Sequence, residues 1–209
     1  AIASGLVELL GTGTAESQEH ASQLLLTLAK DAENCVSIVR AGAVPRLVTQ
    51  VRGAGITSAI AQERAVAVLA CLIVIEDGTR SIAGSNAIRP LVSMLTIGKR
   101  GIQEAHAHAA AVLADLAKIS NKISMQILSE GGIGPLVALL GKESSNAAKA
   151  AAASALLALM SGHQVDLQKA VCDAGAIRHL VALLSEDDDI ICKRAAGAIA
   201  ALCVGSAEN

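Results

Sequence analysis

Phe, Tyr and Trp are absent from all 209 residues, and Pro occurs only 3 times. Without aromatic faces the chain cannot be a base-stacking platform for single-stranded nucleic acid. Charge is also scarce: 17 Lys and Arg against 19 Asp and Glu give a formal net charge of −2. That balance creates no single-sign field to capture phosphate backbones, so no nucleic-acid partner is expected. The longest basic cluster is Lys99-Arg100, and the one acidic run, Glu186-Asp187-Asp188-Asp189, reads as a solvated loop. Long apolar runs are missing too. The longest uncharged apolar stretch, Ala65–Ile75, has 11 residues, where a membrane span needs about 20, so no membrane insertion is expected.

Five cysteines (Cys35, Cys71, Cys172, Cys192, Cys203) are scattered without a Cys-x-x-Cys pair. Each lies in an apolar helical pattern and reads as a small buried hydrophobe in a reducing compartment. No Asn-x-Ser/Thr site occurs, which agrees with an intracellular location, cytoplasmic with the nucleus as an alternative. A first residue of Ala, with no signal-peptide n-region, reads as a start inside a longer protein.

Catalytic and metal-binding patterns are equally lacking. His106 and His108, two apart on a helical pattern, point about 200° away from each other and cannot chelate together. They read as one surface and one partly packed side chain. His20, His163 and His179 fall in different segments, with no Cys or carboxylate at ligand spacing. The glycine pairs in Gly11-Thr12-Gly13-Thr14 and Gly53-Ala54-Gly55 follow no strand and lack the Lys-Ser/Thr of a phosphate loop. Asp187, Asp188 and Asp189 lack the interleaved spacing of a calcium loop; they suit capping of a helix beginning near Ile190. The chain is therefore expected to be no enzyme and to carry no metal, no cofactor and no small-molecule substrate.

What is present is alanine and leucine, 42 and 26 copies, about a third of the chain, and 53% of residues are apolar. Such a chain has ample surface to bury against its conformational entropy and is not disordered. The apolar residues recur with a period near 44. One segment returns as Gly42-Ala43-Val44-Pro45-Arg46-Leu47-Val48, Asn86-Ala87-Ile88-Arg89-Pro90-Leu91-Val92, Gly131-Gly132-Ile133-Gly134-Pro135-Leu136-Val137 and Gly175-Ala176-Ile177-Arg178-His179-Leu180-Val181. Its marker leucines, Leu6, Leu47, Leu91, Leu136 and Leu180, are 41, 44, 45 and 44 residues apart. A second series, Leu28, Leu72, Leu116, Leu159 and Leu202, keeps intervals of 44, 44, 43 and 43.

Each period reads as three helices. A short first helix stops at Gly42, Asn86, Gly131 and Gly175, the residue types that best tolerate a left-handed turn. A second helix follows at once, with Pro90 and Pro135 in its first turn, where a missing N–H costs nothing. It runs to Leu95, Leu140 and Leu184 in the later units. After a polar loop comes a third helix, whose candidate N-caps share one column: Thr14, Ser58, Ser145 and Asp188, with Ile102 the exception. Apolar residues at Ile102, Ala105, Ala109, Val112, Leu113 and Leu116 make one stripe at helical spacing. No stretch alternates in period two, so strands are not expected. A single three-helix unit cannot cover its own stripe; units must stack, with the third helices lining the inner face of a curved array.

This pattern resembles the armadillo repeat family, whose third helix has the form Ala-Ala-x-Ala-Leu-x-x-Leu. Ala109-Ala110-Ala111-Val112-Leu113-Ala114-Asp115-Leu116 and Ala152-Ala153-Ser154-Ala155-Leu156-Leu157-Ala158-Leu159 carry that form. The HEAT family, the nearest competitor, has two helices per unit and lacks the glycine junction. The resemblance covers the whole chain and implies an all-α fold, a right-handed α-solenoid of stacked three-helix repeats. It also implies one domain over 1–209, with units at about 1–30 (partial), 31–75, 76–119, 120–161 and 162–205. Ala207-Glu208-Asn209 repeats Ala32-Glu33-Asn34 and reads as the start of a further unit.

Family members are usually non-catalytic protein-binding scaffolds. Those resembling nuclear-import adaptors hold extended peptides with a ladder of Asn and Trp. The Asn column, one residue before each terminal Leu, is here Thr27, Cys71, Asp115, Ala158 and Ala201. The Trp column, four residues earlier, is Gln23, Ala67, Ala111, Ser154 and Gly197. Neither Asn nor Trp occurs in either, so nuclear-signal recognition is not expected. Eight residues before each terminal Leu stand His20, Arg64, His108, Ala151 and Arg194. These columns describe a face of small residues suited to a partner protein or helical peptide, with Arg64, His108 and Arg194 as polar anchors or as ordinary solvated positions. Alternatives to a general scaffold are the substrate-recognition region of a U-box-type ubiquitin ligase and a structural spacer in a large assembly.

Overall fold

The computed structural model describes residues 2–53, 57–96, 103–162 and 164–204. Lys99-Arg100, Ile102, His163, Ala1, Ala207-Glu208-Asn209 and the Ala54-Gly55 part of one glycine pair lie outside the described residues. Every regular element among the described residues is a helix. The chain forms two compact units, Ala1–Met94 and Leu95–Asn209.

The first unit holds α1 (Ile2–Thr12), α2 (Ala15–Leu28), α3 (Ala32–Arg40), α4 (Ala43–Arg52), α5 (Ala59–Leu72), α6 (Glu76–Ala83) and α7 (Ile88–Met94). Here α3 and α6 are first helices of the repeat, α1, α4 and α7 second helices, and α2 and α5 third helices. Like packs on like: α3 against α6, α1 against α4, α4 against α7, and α2 against α5. Leu25, Ile38, Leu47, Leu69, Leu72, Ile82 and Leu91 are fully enclosed. Truncating any one to Ala removes about 2–5 kcal/mol.

The second unit holds α8 (Gln103–Ala117), α9 (Asn121–Ser129), α10 (Ile133–Ala138), α11 (Asn146–Met160), α12 (Val165–Asp173), α13 (Ala176–Leu183) and α14 (Asp189–Cys203). The third helices α8, α11 and α14 pack in that order, with α11 in the middle. Alanines at Ala148, Ala152, Ala153 and Ala155 are buried there, and small side chains let helix axes approach. Gly197 of α14 takes this furthest: a Cβ at that position would stand 3.2 Å from Leu157 Cδ2.

Local signals act where the sequence places them. Gly42, Gly131 and Gly175 have φ of 77°, 76° and 77°, and Asn86 has φ of 54°. The left-handed turn closes each first helix and launches the second within two residues. Pro45, Pro90 and Pro135 stand third in α4, α7 and α10. All four polar N-caps function: Thr14 accepts from the Ser17 N–H, Ser58 from Ala61, Ser145 from Ala148, and Asp188 from Ile190 and Ile191. Each is worth about 1 kcal/mol.

Two expectations fail. Of the cysteines only Cys35 is buried; Cys71, Cys172 and Cys192 are half-buried and Cys203 is exposed. Cys203 sits in a column whose other members, Ala29, Ile73, Ala117 and Met160, are all buried. Neither His106 nor His108 is a surface residue. His106 is buried, and His108 is half-buried with Nδ1 enclosed, because the Ala-rich packing of α8 against α11 leaves little of either helix in water.

Candidate partner-binding face

The three columns fall on third helices, as their register requires. In the first unit His20, Gln23 and Thr27 of α2 are exposed, Arg64 and Cys71 of α5 are half-buried, and Ala67 is buried. In the second unit His108, Ala111 and Asp115 of α8, Ser154 of α11, and Arg194, Gly197 and Ala201 of α14 are half-buried. Ala151 and Ala158 of α11 are buried. Ala67 and Ala158 thus belong to the packing between helices and offer a partner almost no surface.

The two arginines do the same thing 130 residues apart in sequence. Arg64 Nη1 donates to the backbone carbonyl of Glu19, 3.0 Å away on α2. Arg194 Nη1 donates to the carbonyl of Ala150, 3.1 Å away on α11. Glu19 and Ala150 occupy one column, nine residues before their terminal leucines, so each arginine straps its helix to the preceding third helix. The guanidinium has five N–H donors, and the strap engages Nη1. The polar-anchor expectation therefore gains a structural component at Arg64 and Arg194 that spacing alone does not reveal.

Other column members are locally engaged. The His20 ring is engaged within its own helix, its Nδ1 lying 2.9 Å from the Glu16 carbonyl, which accepts. Thr27 Oγ1 donates to the Gln23 carbonyl. Asp115 pairs with Lys118 Nζ at 2.7 Å, an exposed pair worth at most about 1 kcal/mol. Burial pushes the Cys71 thiol pKa up against the opposing pull of Lys30, so at neutral pH it is a protonated, poorly nucleophilic thiol. Burial likewise raises the Cys35 pKa, helped by Cys71 and Asp31.

A further column escaped sequence reasoning: Cys35, Thr79, Ser124 and Gln168, at intervals of 44, 45 and 44. Each side chain, on a first helix, closes off carbonyls at a third-helix end. Cys35 Sγ donates to Ala29 O, Thr79 Oγ1 to Ile73 O, and Ser124 Oγ to Ala117 O. Gln168 Nε2 instead reaches forward, 2.9 Å from both Ala201 O and Val204 O. The helix ends would otherwise leave these acceptors unpaired. The signal was the column itself, masked because its four residues share donor chemistry but not a residue type.

Residues 164–204, which span α12, α13 and α14, match the Armadillo/beta-catenin-like repeat family. The chain is similar to the crystal structure of a computationally designed armadillo repeat protein for modular peptide recognition, at 25% identity and a TM-score of 0.81, covering 95% of this chain and 81% of that one. Residues 164–204 carry an armadillo repeat, and the fold is that of armadillo repeat proteins. Another designed armadillo repeat protein, in complex with the peptide (KR)4, is similar at 25% identity and a TM-score of 0.77, covering 95% of this chain and 81% of that one. An engineered protein from a structural genomics consortium shows 29% identity and a TM-score of 0.80 over 96% and 78% of the two chains. No curated protein matches in sequence. The armadillo fold makes the chain an all-helical repeat scaffold. No helix among its described residues is long and apolar enough to cross a membrane.

Proposed function

We propose that this armadillo scaffold is non-catalytic and binds a partner protein or helical peptide on the face formed by its third helices. The observation that carries the proposal is the pair of straps, Arg64 to Glu19 and Arg194 to Ala150. They fix neighbouring third helices at the face itself, so the small and polar side chains between them form a preorganised surface. Similarity to an armadillo repeat protein designed for modular peptide recognition supports a peptide as the partner. The ligase and spacer alternatives have no residue of their own in the described structure.

Selecting a displayed peptide library against the chain tests the proposal. Binders are expected to lose affinity on the His20→Glu and Gln23→Glu variant, which alters exposed side chains, and on Ser154→Glu. They should bind unchanged to Thr49→Glu and Ser93→Glu, which alter exposed positions on second helices. An absence of binders, or binders sensitive only to the second-helix variants, overturns it.

A further inference from the structure

We propose that one water molecule is bound inside the first unit, between α2 and α4, by the side chains of Gln18, Ser22 and Gln50. Ser22 is 0% exposed, Gln50 2% and Gln18 7%, so the three make a polar cluster within the packing. Gln18 stands in a column that is polar in every repeat, with Gln62, His106, Lys149 and Cys192. The other two are exceptions. The column of Ser22 continues as Val66, Ala110, Ala153 and Ala196, and that of Gln50 as Met94, Leu139 and Leu183. Both exceptions fall at one junction, and they touch: Ser22 Oγ lies 3.1 Å from Gln50 Oε1.

The hydrogen bonds of this cluster do not close among its own members. Gln18 Nε2 donates to the Gly13 carbonyl, 3.2 Å away. Ser22 Oγ has a single proton and two acceptors within reach, Gln18 O at 2.8 Å and Gln50 Oε1 at 3.1 Å. Gln18 Oε1 and Gln50 Nε2 are both enclosed and meet no partner among the described residues. When Ser22 serves the Gln50 oxygen, an acceptor on Gln18 and a donor on Gln50 stay open. When it serves the Gln18 carbonyl, the Gln50 amide turns over so that Nε2 donates to Ser22 Oγ, and two acceptors stay open.

Buried amide groups left open in this way carry their full desolvation cost, and native interiors close nearly all of them with protein or water. Water suits either arrangement. With two protons and two lone pairs, it accepts from Gln50 and donates to Gln18, or it donates to both oxygens. An internal water makes about three hydrogen bonds, and the two amides and the Ser22 hydroxyl supply that number. The bridge ties α2 to α4 in one register, a directional tie that apolar side chains in the same two columns do not make.

Oxygen-17 magnetic relaxation dispersion, which counts long-lived internal waters, tests this on the unaltered chain and on Ser22→Ala with Gln50→Met. The double variant restores the residue types of the other repeats, and circular dichroism checks that it stays folded; Gln50→Met alone serves if it does not. The unaltered chain is expected to hold one long-lived water more than the variant. It should also show a water cross-relaxation peak at the Gln18 or Gln50 side-chain amide protons. Equal counts, or a crystal structure in which Gln50 bonds directly to Gln18 Oε1 with no water between, overturns the proposal.

Discussion

Lys149 Nζ lies 2.8 Å from Glu186 Oε1, joining the first turn of α11 to the loop before α14. The lysine side chain is 8% exposed and the carboxylate 33%, so the two charges have unequal access to water. Removing the carboxylate strands a buried ammonium, whereas removing both partners strands nothing. Glu186→Ala is therefore expected to lower the unfolding free energy by about 2 kcal/mol, and Lys149→Met with Glu186→Ala to recover most of that loss. Urea unfolding midpoints check it.

Gly131 and Gly134 stand three residues apart and are expected to respond oppositely to alanine. Neither would meet an atom within 4 Å at the added Cβ, but Gly131 has φ of 76°. Gly131→Ala pays only in backbone strain, about 1 kcal/mol. Gly134 lies inside α10, so Gly134→Ala should gain about 0.5–1 kcal/mol from helix propensity. Paired thermal melts read the signs directly.

His106 has its pKa lowered by burial. In the unfolded chain it titrates near its usual value of about 6.5, so below that pH the unfolded state binds more protons than the folded one. The contribution to stability is level above the unfolded value and falls as pH drops from there through the lower folded value. Stability measured between neutral and mildly acid pH should decline for the natural chain. His106→Leu should show a shallower decline over the same window.

Fold and turns were legible because they depend on local chemistry repeated at a fixed period. Gly42, Asn86, Gly131 and Gly175 need only backbone permissiveness, and Thr14, Ser58, Ser145 and Asp188 need only a side-chain acceptor near the next N–H groups. The candidate face was legible as register, not as contact. That Arg64 would reach the Glu19 carbonyl depends on the separation of two helices 45 residues apart in sequence, which no local pattern fixes. Burial at Ala67 and Ala158, and the enclosure of His106, follow from the same interhelix spacing. The column of Cys35, Thr79, Ser124 and Gln168 was hidden for a different reason: one task, donating to an open carbonyl, is done by thiol, hydroxyl and amide alike.

The most direct test of the third-helix face as the binding surface is amide hydrogen exchange on the chain with and without a peptide selected against it. Added protection is expected on α2 and α5, or on α8, α11 and α14, around the exposed members of the three columns. Protection confined to the first helices α3, α6, α9 and α12, or to the second helices, would contradict it.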